Sequence, residues 1–237
     1  MKIFVFGDSF SEPYGTPQFR NSHWSNQLKL ALECEIVMGA KVGSTNENIL
    51  HQLIRHFGDI TKDDIVILNL SGQGRMNLGP DSDMVWFRDR DVGVERNTNR
   101  FREIKIDIVR EWYNTYYLPT IVKDDPYINA IIDLCNDLSK RTKDVILWNL
   151  SQLGFDDINT DENDNVSTSP QIQYSDLWTK SSKGGKVGWA NHLKNKNLTI
   201  SKRDGHPSEK GYRYIANEFL ERIDNTKTLL PFVPTLF

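Results

Sequence analysis

Four short stretches hold residue types that perform acyl transfer when they are brought together. "GDSFSE" (7–12) sets Ser9 directly after the apolar run "KIFVF". A serine hydroxyl is a poor nucleophile until a neighbouring base takes its proton. "RDGHPSEKGY" (203–212) offers that base, with Asp204 and His206 just ahead of a helical pattern. An imidazole held in one tautomer by a carboxylate is the partner a nucleophilic serine needs. "KVGSTNE" (41–47) places Gly43 at the opening of another helical pattern. Glycine lets a backbone N–H approach closely, and a helix start suits an oxyanion. "LSGQGR" (70–75) follows a third apolar run and supplies the side-chain amide of Gln73. Asp8, Asn46, Arg75, Trp178 and Trp189 are further candidate substrate contacts. Each stretch alone has a plainer reading, as a turn, a cap or a flexible glycine loop. His23, His51, His56 and His192 have no carboxylate so placed and are read as surface or satisfied core residues.

The elements that would position these groups alternate. "KIFVF" (2–6), "EIVMGA" (35–40) and "DDIVILNL" (63–70) read as strands, the first and third as continuous apolar runs of buried parallel sheet. Between them, 23–33 and 43–57 carry apolar residues at helical spacing, and Ser44 with Glu47 has capping-box spacing. This β-α-β-α-β order predicts a parallel sheet covered by helices, in which ligand sites lie beyond the carboxyl ends of the strands. Further helices are expected over 99–118, from Pro126 onward and over 207–223, with a strand at 144–150. Residues 71–98 and 154–197 are polar and read as insertions into a single domain spanning 1–237.

Composition narrows the classes. The 237 residues carry a net charge of −3 with acids and bases interspersed, which gives no basic footprint for nucleic acid or an anionic membrane. Cys34 and Cys135 sit in apolar contexts and read as buried free thiols. No segment has the pattern of a secretory signal, and no apolar run reaches the roughly 20 residues of a membrane helix, so a cytoplasmic protein is expected. The apolar tail "TLLPFVPTLF" is expected to pack on the domain or to serve self-association.

In order along the chain, "GDSFS", "KVGSTN", "IVILNLSGQ" and "DGHPSEKGY" resemble the blocks of the SGNH, or GDSL-type, hydrolase family. The resemblance implies a flavodoxin-like, three-layer α/β/α fold with a central parallel sheet of about five strands. It implies ester hydrolysis with no cofactor and no metal. Ser9 would be the nucleophile, His206 the base and Asp204 its orienting acid, with the Ser9 and Gly43 N–H groups and Gln73 as oxyanion donors. Two positions depart from the family pattern. Gln73 stands where the family has asparagine, with Arg75 or Asn77 as other donors, and Asp204 is two residues before His206 rather than three. Trp86, Phe87, Trp178 and Trp189 are of a type that stacks on sugar rings, so an O-acetylated carbohydrate is the expected substrate. The rival expectation is a binding module on the same fold whose catalytic site has decayed.

Overall fold

The computed structural model describes residues 1–13, 17–71, 75–76, 85–86, 126–149, 180–182, 185–187, 189–201 and 206–229. In chain order its elements are β1 (Lys2–Phe6), α1 (Pro17–Asn21), α2 (Trp24–Leu32), β2 (Glu35–Met38), α3 (Asn46–His56), β3 (Ile65–Leu70), β4 (Arg75–Met76), β5 (Val85–Trp86), α4 (Pro126–Ser139), β6 (Asp144–Asn149), β7 (Lys180–Ser182), β8 (Gly185–Val187), α5 (Trp189–Asn195) and α6 (Glu209–Ile223).

Four strands form one sheet in the order β2-β1-β3-β6, and every pairing is parallel. Strand order reverses between β1 and β3, as in the doubly wound flavodoxin-like class, and sheets of this class place their ligand crevice beyond the carboxyl ends at that point. About five strands were expected; the described residues contain four in this sheet. Two small antiparallel pairs, β4–β5 and β7–β8, lie apart from it.

Successive side chains of a strand point to opposite faces. Ile3 and Val5 of β1, Ile65 and Ile67 of β3, and Ile146 and Trp148 of β6 join Trp24, Leu28, Trp189, Tyr212 and Phe219 in one core. Phe4, Phe6, Val66, Leu68 and Leu147 join Ile49, Leu53, Ile131, Cys135 and Leu138 in a second. Helices α2, α5 and α6 thus cover one face and α3 and α4 the other, giving three layers. Burial on both faces is why β1 and β3 read as unbroken apolar runs. Cys34 and Cys135 are buried free thiols, and burial pushes Cys135 up to about 12. No helix among the described residues is long and apolar enough to cross a membrane.

Three local expectations are corrected. The N-cap of α3 is Thr45, whose hydroxyl accepts from the Asn48 N–H at 3.2 Å, rather than Ser44. Within 154–197, residues Trp189–Asn195 form a helix that buries Trp189 and Leu193. Trp189 meets Trp148 edge-on at 5.9 Å between ring centres, so it is a core residue and not a substrate contact. The helix expected over 99–118 and the tail beyond Leu229 lie outside the described residues; Leu229 itself is buried in the first core.

The start of α6 is tied to the end of α5. Ser208 N–H and its hydroxyl both donate to the Leu198 carbonyl, at 2.8 and 2.9 Å, and the Ser208 hydroxyl caps α6 by accepting from Gly211 N–H. A Cβ on Gly211 would stand 2.1 Å from that same carbonyl oxygen. Gly211→Ala is expected to lower stability by about 1–3 kcal/mol through overpacking. Urea denaturation followed by circular dichroism measures it. Lys210→Ala, one residue earlier and exposed, should stay within about 0.5 kcal/mol of wild type.

Candidate functional site

The turn that carries Ser9 is built by four constraints. Gly7 ends β1 at φ +144°, and a Cβ there would lie 2.6 Å from Ser11 Oγ and 2.9 Å from Asn69 Cβ, so only glycine fits. Asp8 comes next, 1% exposed; its Oδ1 accepts from Phe10 N–H at 3.1 Å and from Asn69 Nδ2 at 2.8 Å. The Asp8 carbonyl accepts from the N–H groups of Ser11 and Glu12, each at 3.0 Å. The Phe10 carbonyl then accepts from Trp24 Nε1 at 2.9 Å and His23 Nε2 at 3.3 Å.

His206 arrives from the other end of the chain. Its carbonyl accepts from Ile200 N–H at 2.8 Å, and Pro207 forms a β-bridge with Thr199. Ser208 then caps α6. Between these anchors the imidazole is held with its Nε2 2.9 Å from Ser9 Oγ. The Phe10 ring lies against it, centres 4.4 Å apart and planes 17° from parallel. In the neutral tautomer that carries its proton on Nδ1, Nε2 accepts from the Ser9 hydroxyl, which is the geometry for general-base activation.

Gly43 belongs to a turn placed beside this one. Its φ is +81°, a left-handed value suited to glycine. Lys41 N–H donates to the Gly7 carbonyl at 3.1 Å, and Ser44 N–H returns to the Lys41 carbonyl at 3.1 Å. Gln52 of α3 binds both turns. Its Oε1 accepts from Gly7 N–H at 3.1 Å, and its Nε2 donates to Ser44 Oγ at 2.8 Å. Among the described residues, the N–H groups of Ser9 and Gly43 have no hydrogen-bond acceptor.

Other expected contacts prove to be supports. Asp8 is turned inward to hold the Ser9 turn rather than out toward a ligand. Asn46 is buried and bonds both backbone polar groups of Ser71: its Nδ2 donates to the carbonyl at 3.1 Å and its Oδ1 accepts from the N–H at 2.9 Å. It thereby braces the start of α3 against the end of β3. Asp204, Gln73 and Trp178 lie outside the described residues. Arg75 lies in β4, opposite Trp86 of β5.

Three residues that shape the site were not singled out from sequence, Phe10, Gln52 and Asn69, while His23, read as a surface or satisfied core residue, is the latter. Asn69 left a trace, because it is a polar residue inside the apolar run "IVILNL". His23 left a weaker one, standing at the cap position of α2. It is fully buried between two partners. Nδ1 accepts from the Ser25 hydroxyl at 2.8 Å and the Ser25 N–H at 3.3 Å, while Nε2–H donates to Phe10. Burial pushes its pKa down to about 3, against the smaller opposing effect of the Phe10 carbonyl.

No family model matches the chain, and no curated protein matches it. Among solved structures it is similar to one from Desulfitobacterium hafniense DCB-2 named as a candidate lipolytic protein of the G-D-S-L family. The match has 15% identity and a TM-score of 0.41, and it covers 94% of this chain and 98% of that one.

His23 gives the site a pH-dependent support. It stays neutral in the folded protein down to about pH 3, whereas the unfolded chain takes up a proton near the ordinary histidine value of 6.5. The unfolded state therefore binds more protons as pH falls through this window, and stability drops. From pH 7 to pH 5 this residue should remove about 2 kcal/mol. His23→Gln lacks the effect, so the stability gap between wild type and variant should narrow by that amount over the same interval, read from urea denaturation at each pH.

Proposed function

We infer that the protein is a serine-dependent hydrolase of carboxylic esters. The observation that carries this reading is the 2.9 Å contact between Ser9 Oγ and His206 Nε2 at the carboxyl end of a parallel sheet. In the proposed reaction the Ser9 oxygen attacks the ester carbonyl carbon while its proton passes to His206 Nε2. The carbonyl π-electrons move to oxygen, giving a tetrahedral oxyanion within reach of the Ser9 and Gly43 N–H groups. The oxyanion re-forms the carbonyl, the carbon–alkoxide bond breaks, and the alcohol leaves with the proton from His206. Water then loses a proton to the same imidazole, attacks the acyl-serine and releases the acid, restoring the hydroxyl.

Asp204 is proposed as the group that orients Nδ1 of the imidazole. Residues two apart in an extended segment share a face, which suits the short interval between Asp204 and His206. Gln73 is proposed as the third oxyanion donor. For the substrate we propose a short acyl ester, with an O-acetylated carbohydrate preferred. That preference is supported by the aromatic side chains of the two insertions, Trp86, Phe87 and Trp178, and no longer by Trp189.

The test is hydrolysis of p-nitrophenyl acetate. Ser9→Ala and His206→Ala are each expected to lower kcat by about 10³-fold or more, and a fluorophosphonate should label wild type on Ser9 but not Ser9→Ala. Equal turnover in wild type and Ser9→Ala, or labelling elsewhere, would rule the reading out.

A further inference from the structure

One carboxylate near Ser9 is absent from the reaction just described. Glu12 closes the turn that begins at Asp8: its N–H donates to the Asp8 carbonyl at 3.0 Å. Its side chain leaves that turn altogether. The Glu12 carboxylate Oε2 accepts a hydrogen bond from the backbone N–H of Val42, the residue immediately before Gly43. Thirty residues separate the two partners in sequence. Glu12 is half-buried, while Val42 is 41% exposed. The carboxylate is therefore not needed to satisfy a group deep in the core. It ties two surface turns to each other.

The two turns are the ones that would carry the oxyanion donors. The first contains the Ser9 N–H and the second the Gly43 N–H. Gln52 joins them from beneath, through Gly7 and Ser44. Lys41 N–H to the Gly7 carbonyl is a second tie at the sheet edge. Both hold the base of the Gly43 turn, at its first and last residues. Val42 and Gly43 form its tip, where the left-handed glycine has the widest choice of backbone angles. Among the described residues, the Glu12 carboxylate is what grips that tip. A bond to a charged acceptor is about twice as strong as a neutral one. It fixes the Lys41–Val42 peptide plane, so that of the backbone angles between this anchor and the Gly43 N–H only the φ and ψ of Val42 are left.

We propose that Glu12 is a positioning residue for the oxyanion hole: its bond to Val42 N–H aims the Gly43 N–H at the point where charge develops next to Ser9. The role rests on the esterase reading. Oxyanion donors work because they are aligned before the charge appears, so misalignment lowers the rate without weakening ground-state binding. Losing a donor outright costs about 10²–10³ in kcat. Leaving it in place but free to turn should cost less, about 10- to 100-fold in kcat.

The experiment compares wild type, Glu12→Ala, Glu12→Gln and Glu12→Asp on p-nitrophenyl acetate, beside Ser9→Ala. Glu12→Ala should lose about 10- to 100-fold in kcat with KM within about twofold. Glu12→Gln keeps the oxygen acceptor and the reach, and should recover kcat to within about threefold of wild type. Glu12→Asp keeps the charge but is one methylene short, and should behave like Glu12→Ala. Amide exchange by NMR supplies a readout apart from turnover: the Val42 N–H should exchange faster in Glu12→Ala and return to the wild-type rate in Glu12→Gln. If Glu12→Ala does not fold, the contrast between Glu12→Gln and Glu12→Asp decides alone. Wild-type kcat in Glu12→Ala or Glu12→Asp, equal losses in the Gln and Asp variants, or a loss confined to KM overturns the role while Ser9-dependent turnover leaves the esterase reading intact. Absence of Ser9-dependent turnover in wild type overturns that reading, and the role of Glu12 with it.

Discussion

The hydrogen bond between Ser9 and His206 sets the demands on the rest of the fold. It joins residues 197 positions apart, and it holds only if both backbones are placed to within a fraction of an ångström. A parallel sheet brings them together. β1 sits between β2 and β3, so its carboxyl end opens directly into the crevice where strand order reverses. The histidine reaches the same crevice because the segment from Leu198 to Ile200 pairs with the residues around Pro207 before α6 begins.

Polar side chains are distributed accordingly. Through most of their length the central strands are apolar, held by their backbone ladders and by packing on both faces. At the carboxyl end buried polar groups gather, and five of them are Asp8, Asn69, Asn46, Ser44 and His23. Removing such groups from water costs several kcal/mol each unless they are bonded. Each of these five has a named partner within the protein, and the partners belong to neighbouring turns or strands. The same bonds that offset desolvation also fix the turns in place. Rigidity is concentrated where the chemistry requires it.

Much of this was legible in the sequence, and the limits have physical causes. The strands 2–6, 35–38, 65–70 and 144–149 follow from apolar runs that a doubly covered sheet requires. Helices α2, α3, α4 and α6 follow from apolar stripes at helical spacing. Ser9 and His206 could be paired because each ends or precedes such an element. Helix α5 was missed because it has only seven residues, too few for a clear apolar stripe, and it adjoins polar low-complexity sequence. Trp189 drew a functional reading for the same reason: an aromatic in a polar stretch reads as exposed until a helix turns it inward. Asp8 and Asn46 were placed in the right neighbourhood but facing the wrong way, since sequence gives the location of a polar residue beside a crevice and not which side of the turn it occupies. The bonds from Gln52 to Gly7 and from His23 to Phe10 join residues 45 and 13 positions apart, and no local pattern encodes those.

The separation of the two partners has a consequence for the growing polypeptide. The imidazole is added 197 residues after the hydroxyl. A ribosome that stalls anywhere between them releases a fragment in which the nucleophile has no proton acceptor. Proteolysis in that interval has the same effect whenever the pieces part. Competence for the proposed reaction is thus a property of the assembled whole, and a fragment bearing only one of the two lacks the pair on which that proposal rests.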